Sequence, residues 1–404
     1  MGVGTGSGTG DAVPTVNAPP TRAALERALR DGEFVLHYQP KVCLSSGRIV
    51  GAEALVRWND GADVISPDEF LPIAERIGLL HDITLGLLDQ VVAAAVALRV
   101  TCAGLALSMN VAPDDLAANV ISTRIGERLA AGDIAPADLE IEITESAVMG
   151  NVEKVRDDLE RLRSLGIKVL MDDFGTGYSS IDRLSQLPFG SLKLDQGVVR
   201  RMGTSRRSLD VVKASISMAR ELRMTAIAEG VESAGTYDFL IANGCEEAQG
   251  YWIARPMSLE DLRGFVADPR EFAGSQVGRV HHAVLNLLQF RKSLVDALFC
   301  SRGGRVPALD SIIDPRLGGD VADSAVGAWY FGSGRQLAGR ASYRAIEVPL
   351  VRLHADGNRL LERLAEGRPL DGDVSLADLD AQVVQLVALM HALERELVDD
   401  HAHA

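Results

Sequence analysis

From Phe34 onward, short apolar runs alternate along the chain with longer stretches of helical periodicity, the pattern of an α/β domain on a largely parallel sheet. Strands are predicted over about 34–43, 48–58, 104–111, 138–144, 167–172, 191–195, 225–229 and 246–252, and from the second onward a helical stretch separates each from the next. Eight such strands imply a closed, TIM-like (β/α)8 barrel. Only Leu44 to Gly47 join the first two strands, which suits a hairpin and is too short for a parallel crossover. One strand should therefore run antiparallel to the rest.

The last barrel helix is predicted over Leu259 to Val266, and Asp268-Pro269-Arg270 with Gly274 and Gly278 then reads as a linker. Beyond Val280 no strand pattern recurs, and apolar residues step by three and four. Leu376, Leu379, Val383, Leu386, Met390, Leu393 and Leu397 form one stripe behind Ser375, an N-cap with Asp378 three residues on. Ile346, Leu350, Leu353, Gly357, Leu360 and Leu364 form a second, and Val284, Leu287, Leu288, Leu294, Val295 and Leu298 a third. The expected organisation is a flexible tail (1–20), a barrel (21–268), a linker (269–278) and an all-α helical bundle (279–404).

Composition narrows the function. With 404 residues the chain exceeds what one hydrophobic core usually organises, and a net charge of −15 argues against a sequence-independent grip on long nucleic acid. Cys43, Cys102, Cys245 and Cys300 lie far apart with no CxxC pair, resembling neither a disulfide framework nor a zinc knuckle. The Gly-, Thr- and Pro-rich start lacks the charged and apolar regions of a signal peptide, and no run of eighteen apolar residues follows. A soluble, cytoplasmic protein without membrane insertion is expected.

The predicted strand ends are acidic. Glu53 lies on the second strand, Asn110 ends the third, Glu142 and Glu145 belong to the fourth, Asp172-Asp173 end the fifth, Lys193 and Asp195 mark the sixth, Glu229 and Glu232 the seventh, and Gln249 the eighth. Barrel enzymes gather their chemistry at this end. A single acidic residue there is most often a solvated loop residue or a helix cap, as Glu232 could be for the helix after Val231. The series is harder to dismiss, because converging carboxylates cannot all stay ionised in a dry cleft without cations. Carboxylates with one amide suit a hard ion such as Mg²⁺ or Mn²⁺. Adjacent Asp172 and Asp173 can both reach one site only where the strand ends and turns, as Phe174-Gly175-Thr176-Gly177 suggests. Two metals sharing a carboxylate would suit phosphodiester hydrolysis.

Over about residues 21–268 the chain resembles the EAL phosphodiesterases. The motifs are Tyr38-Gln39-Pro40-Lys41-Val42, Glu53-Ala54-Leu55-Val56-Arg57-Trp58, Ser108-Met109-Asn110-Val111, Glu140-Ile141-Glu142-Ile143-Thr144-Glu145, Asp172-Asp173-Phe174-Gly175-Thr176-Gly177-Tyr178-Ser179-Ser180, Leu192-Lys193-Leu194-Asp195, Ala228-Glu229-Gly230-Val231-Glu232 and Gln249-Gly250-Tyr251. The resemblance implies hydrolysis of cyclic di-GMP to linear pGpG by two Mg²⁺ or Mn²⁺ ions, in a homodimer. Glu53, Asn110, Glu142 and Asp172 would hold one ion, and Asp172, Asp173 and Glu229 the other. Lys193 would position or help deprotonate the attacking water, supported by Gln249. Gln39, Leu55 and Arg57 would contact the substrate. Glu145 would anchor the loop after Asp173, and Asp195 and Glu232 would support the site or a dimer contact. After Asp195 the family's small polar residue and aromatic are replaced by Gln196-Gly197-Val198. The other reading is a non-catalytic cyclic di-GMP receptor signalling through the bundle.

The helical part is similar to the chemoreceptor zinc-binding (CZB) domain, anchored on Gly327-Ala328-Trp329-Tyr330. That family's three histidines and one cysteine would fall on His281 or His282, Ser324, Leu350 and His354. Two of the four ligands are then missing, which implies a metal-free module for sensing, dimerisation or docking a regulatory protein.

Overall fold

The computed structural model describes residues 20–403 except 62, 100–101, 103, 118, 146–147, 149–151, 176–183, 185, 269–271, 273, 303–319 and 367–374. The predicted tail, all but its last residue, and the loop segment Thr176 to Ser180 lie outside the described residues. The strands are β1 (Phe34–Cys43), β2 (Ile49–Asn59), β3 (Val64–Ile65), β4 (Ala106–Asn110), β5 (Leu139–Thr144), β6 (Lys168–Phe174), β7 (Ser191–Leu194), β8 (Thr225–Ala228) and β9 (Glu247–Gln249). Their order is β1-β9-β8-β7-β6-β5-β4-β2, and pairing of β1 with β2 closes the ring. As the short hairpin requires, β1 runs antiparallel to β9 while the ladders from β4 to β9, and from β2 to β4, are parallel. The periodicity missed β3, a two-residue strand paired with Trp58 and Asn59, because two residues carry no period. It also overran β9, which ends at Gln249. A Cβ on Gly250 would fall within 2.2 Å of the Val231 carbonyl oxygen, so the chain must turn there on a glycine.

Two compact units are resolved by their contacts. One comprises the described residues up to Val35 with Val56–Leu87, around a core of Leu25, Phe34, Trp58, Phe70, Ala74 and Ile83 in which Phe34, Trp58 and Phe70 form a mutual aromatic cluster. The other comprises Leu36–Leu55 and everything from Leu88, and so holds most of the barrel wall and the helical region. The helix Leu80–Arg99 has the length and mean hydropathy of a membrane span, but Leu88, Val91, Val92, Ala95 and Leu98 along it are buried as in the core helix of a globular fold.

The helical region is built on four longer or anchoring helices, Gln276–Arg302, Ala325–Phe331, Glu347–Ala365 and Leu376–His403. They share one core from Val280 to Leu397. Ser375 caps the last helix as predicted, accepting from the Asp378 amide at 3.1 Å. The third predicted stripe needs correction: Val284, Leu287, Leu294 and Leu298 are buried, whereas Leu288 and Val295 are 44% and 38% exposed. Each of the latter lies one residue past a buried position, and a step of 100° turns it off the apolar face. The helix also begins at Gln276, inside the predicted linker, with the Gly278 amide capped by Ser275 Oγ. Pro269 and Arg270 lie outside the described residues.

Candidate active site

Strand register sets the site. Glu53 pairs with Ser108, Asn110 with Glu142, Thr144 with Asp172, and Lys41 with Gln249, so residues far apart in sequence share one level of the barrel. Lys193 occupies its centre and is fully buried, which overturns the usual expectation that a lysine lies at the surface. Its Nζ lies 3.2 Å from Glu53 Oε2, 3.3 Å from Asp172 Oδ1 and 2.6 Å from Glu229 Oε1, and it also donates to Glu142 Oε2. Asn110 donates to Glu53 Oε1 at 2.8 Å. Gln249 donates to Glu53 Oε2 at 2.7 Å and to Gln39 Oε1 at 3.0 Å, while Gln39 donates to the Ala254 carbonyl.

Asp172 and Asp173 reach the same place by a different device from the one predicted. The strand does not end after them but runs on to Phe174. Instead, the β6–β7 register shifts between Met171 and Phe174, and Asp173 adopts a left-handed φ of 57°. An irregularity of this kind re-aims a side chain that pleating would send to the opposite face. Carboxylate oxygens of Glu53, Glu142 and Asp172 thereby fall within 4.8 Å of one another, as do those of Asp172, Asp173 and Glu229.

The charges do not balance. Burial pushes Glu142 up to about 8, reinforced by Glu53, and burial likewise pushes Glu229 up to about 8 despite Lys193. Asp173 is raised by burial and by Asp172. Burial also opposes ionisation of Glu53, but Lys193 and the Gln249 hydrogen bond outweigh it and hold that carboxyl below its ordinary range. Lys193 would be lowered by burial, yet the surrounding carboxylates, Glu142 first, hold it well above a free lysine. Glu142 Oε1 is buried without a hydrogen-bond partner among the described residues. Four carboxylates on one ammonium, with Asp173 grouped beside Asp172 and Glu229, thus form a cluster short of positive charge, with acidic oxygens grouped for a hard divalent cation.

The remaining predicted residues are placed as follows. Glu145 is 2% exposed and accepts from the Gly175 amide at 3.1 Å. Asp195 caps the helix Gln196–Arg201 by accepting from the Val198 amide at 3.0 Å. Glu232 is exposed and pairs with Arg200 at 2.8 Å; it is not a helix cap, because Ser233 performs that role for Ala234–Ala242. Leu55 and Arg57 alternate with Glu53 along β2, and the Arg57 guanidinium donates to the Val56 carbonyl at 2.7 Å.

A second interior ion pair was not assigned from sequence. Lys41, 1% exposed, contacts Glu140 at 2.5 Å and Ser108 Oγ at 3.2 Å, and Glu140 also meets Lys168 at 3.3 Å. Its signal was the two-residue spacing of Lys41 from Gln39 and of Glu140 from Glu142, which puts each pair on one face of its strand.

The family model for the EAL domain matches residues 22–256. Among curated proteins, the chain is 38% identical over 239 residues to the cyclic di-GMP phosphodiesterase RocR of Pseudomonas aeruginosa, covering 59% of this chain and 61% of RocR. It is 36% identical over 246 residues to the cyclic di-GMP phosphodiesterase NbdA of the same organism, covering 60% of this chain and 31% of NbdA. The chain thus spans less than two thirds of the length of these relatives. The solved structure of the PaMucR phosphodiesterase in complex with cyclic di-GMP matches with a TM-score of 0.57 at 34% identity, over 59% of this chain and 98% of that one. With more than half its length matched by that family model and an ordered acidic site at the expected strand ends, the chain belongs to the EAL domain family.

Proposed function

We propose that the protein hydrolyses cyclic di-GMP to linear pGpG with two divalent ions, Mg²⁺ or Mn²⁺, bound at the barrel site. The observation that carries this is the imbalance of charge around Lys193: carboxylates are grouped in two sets that share Asp172, and Glu142 and Glu229 are driven toward protonation. The donors fit the ions. Glu53, Asn110, Glu142 and Asp172 would hold one, and Asp172, Asp173 and Glu229 the second. When bound, such ions supply Lewis acidity to the scissile phosphate and lower the pKa of water.

The chain's own residues do the rest. Lys193 is a donor to every carboxylate it touches and is held charged, so its part is to keep their geometry and orient a water rather than to take its proton. Gln249 locks Glu53 to Gln39, and the Val231 amide donates to the Gln249 carbonyl at 3.1 Å. Gln39, Leu55 and Arg57 belong to the proposed substrate contacts, Arg57 as the partner of a phosphate. A homodimer and a cytoplasmic location belong to the same reading, and the helical region would be a degenerate, zinc-free relative of the CZB domain that docks a regulatory partner. In support of the last point, His282, Ser324, Leu350 and His354 line one cavity, and Ser324 Oγ is already engaged, accepting from the Gly327 amide and donating to the Val321 carbonyl.

The test is a product assay of the purified chain with cyclic di-GMP and Mn²⁺ or Mg²⁺. Linear pGpG should form and a chelator should stop it. Tight binding without linear product under either metal would replace the enzyme by a cyclic di-GMP receptor.

A further inference from the structure

Where the helical region meets the base of the barrel, a cavity of about 640 Å³ is lined by both. Arg220, Thr225 and Glu246 face it from the barrel side, and His282, Phe290 and His354 from the helices. The volume is that of a small-molecule site. His282 and His354 are 3% and 6% exposed, and each has one ring nitrogen buried without a hydrogen-bond partner, His282 Nδ1 and His354 Nε2. Such atoms are normally satisfied by something.

Their other nitrogens define what that something must be. The Ile241 carbonyl favours a proton on the His282 ring, and with Nδ1 unpartnered that proton is assigned to Nε2, which leaves Nδ1 as an acceptor. The Asn358 amide lies 3.4 Å from His354 Nδ1, which as acceptor leaves Nε2–H as a donor. The cavity therefore offers one imidazole acceptor and one imidazole donor. Its charges are already used: Arg220 donates to the Gly244 carbonyl at 2.8 Å and Glu246 accepts from the Ala226 amide at 2.9 Å. With Arg220 and Arg223 on the wall beside Glu246, Glu247 and Asp323, an ion of either sign would meet its own sign there. The Phe290 and His354 rings lie nearly parallel, at 18° and 6.2 Å, and Leu287, Leu350, Leu353 and Val326 complete an apolar wall.

We propose that this cavity binds an uncharged, flat heteroaromatic molecule that presents an N–H to His282 and a ring nitrogen to His354. The site is separate from the carboxylate cluster and its occupancy does not depend on turnover.

The test uses the full chain and saturation-transfer NMR with 7-azaindole, benzimidazole and 2-aminopyridine, each at about 1 mM, with benzoate as the charged control. At least one heterocycle should bind and move the ring ¹⁵N resonances of His282 and His354, and benzoate should bind about tenfold more weakly or not at all. His354→Leu and His282→Leu should each weaken binding by about tenfold. The shift measurement on the unmutated chain decides the matter even if a variant fails to fold. No binding by any of the three, binding that leaves both rings unmoved, or benzoate binding equally well would overturn the proposal.

Discussion

Two lysines are buried inside the barrel, and what surrounds them differs in a way that separates function from framework. Lys41 meets Glu140 and Ser108, and Glu140 meets Lys168, so this carboxylate is compensated within the protein by two lysines. Lys193 meets Glu53, Glu142, Asp172 and Glu229, and among the described residues none of these four carboxylates forms an ion pair with a second cation. The contrast is sharpest two residues apart on β5. Burial opposes ionisation of both Glu140 and Glu142, but Lys41 and Lys168 bring Glu140 down to about 2, whereas Glu142 rises to about 8 beside Glu53. A charge that the fold itself compensates is structural. A deficit that it leaves open is where an ion from outside can contribute.

The largest expected effect follows from the open deficit. Lys193→Ala and Glu53→Ala should each lower turnover of cyclic di-GMP on the order of a thousandfold, for different reasons. Glu53→Ala should also move the Mn²⁺ titration midpoint upward, because Glu53 is a proposed ligand of one ion. Full recovery of Glu53→Ala at excess Mn²⁺ would show that Glu53 is not a ligand.

The balanced pair should fail in the opposite manner. Lys41→Met strands Glu140 with only the half-exposed Lys168, and breaking a buried pair costs about 3 kcal/mol or more. Denaturant unfolding should register that loss while turnover per folded molecule stays within about twofold of the parent. A stable Lys41→Met protein with lost turnover would make Lys41 part of the chemistry and end the contrast.

Acid should act on the balanced pair next. The carboxyl of Glu140 is ordinarily near 4.5 and is held at about 2 in the fold, so it contributes stability above pH 4.5 that is lost as pH falls toward 2. The contribution is roughly 3 kcal/mol at neutral pH. The stability gap between the parent and Glu140→Gln should therefore shrink between pH 5 and pH 3. A gap that stays constant over this range would show that the lysines are not holding Glu140 down.

Much of this was legible in the sequence, for identifiable reasons. The barrel could be read because eight strands were separated by helices, and its antiparallel strand because four residues cannot make a crossover. The site could be read because its acids come from four strands or the residue just past one, with Asp172 and Asp173 sharing a strand. How Asp172 and Asp173 converge could not be read, since a shifted register and a left-handed Asp173 leave no period-two trace. Nor could the solitude of Lys193 among carboxylates, which depends on which strands become neighbours. In the helical region the stripes are visible, but Leu288 and Val295 turn to the exposed side, because counting apolar residues does not fix a helix's rotation. The cavity at His282 and His354 leaves no trace in the sequence, where His281 and His282 stay alternatives.

The smallest predicted effect concerns Glu145, where the distinction between ligand and anchor is finest. Its carboxylate is buried and lies within the same motif as Glu142, yet it accepts from the Gly175 amide and is absent from both groups of clustered oxygens. Gly175 has a φ of 103° and follows directly on Asp172, Asp173 and Phe174. The bond therefore holds the chain just past the irregularity that brings both aspartates to one place. Glu145→Ala leaves that amide without its acceptor, and the aspartates should then be held less sharply, with a loss of about tenfold in kcat/KM. Glu145→Gln keeps an oxygen for the same amide and should recover most of the activity, with an unchanged Mn²⁺ titration. If Gln were as damaging as Ala and both raised the Mn²⁺ requirement, the charge itself would be needed, and Glu145 would join the ligands instead of bracing them.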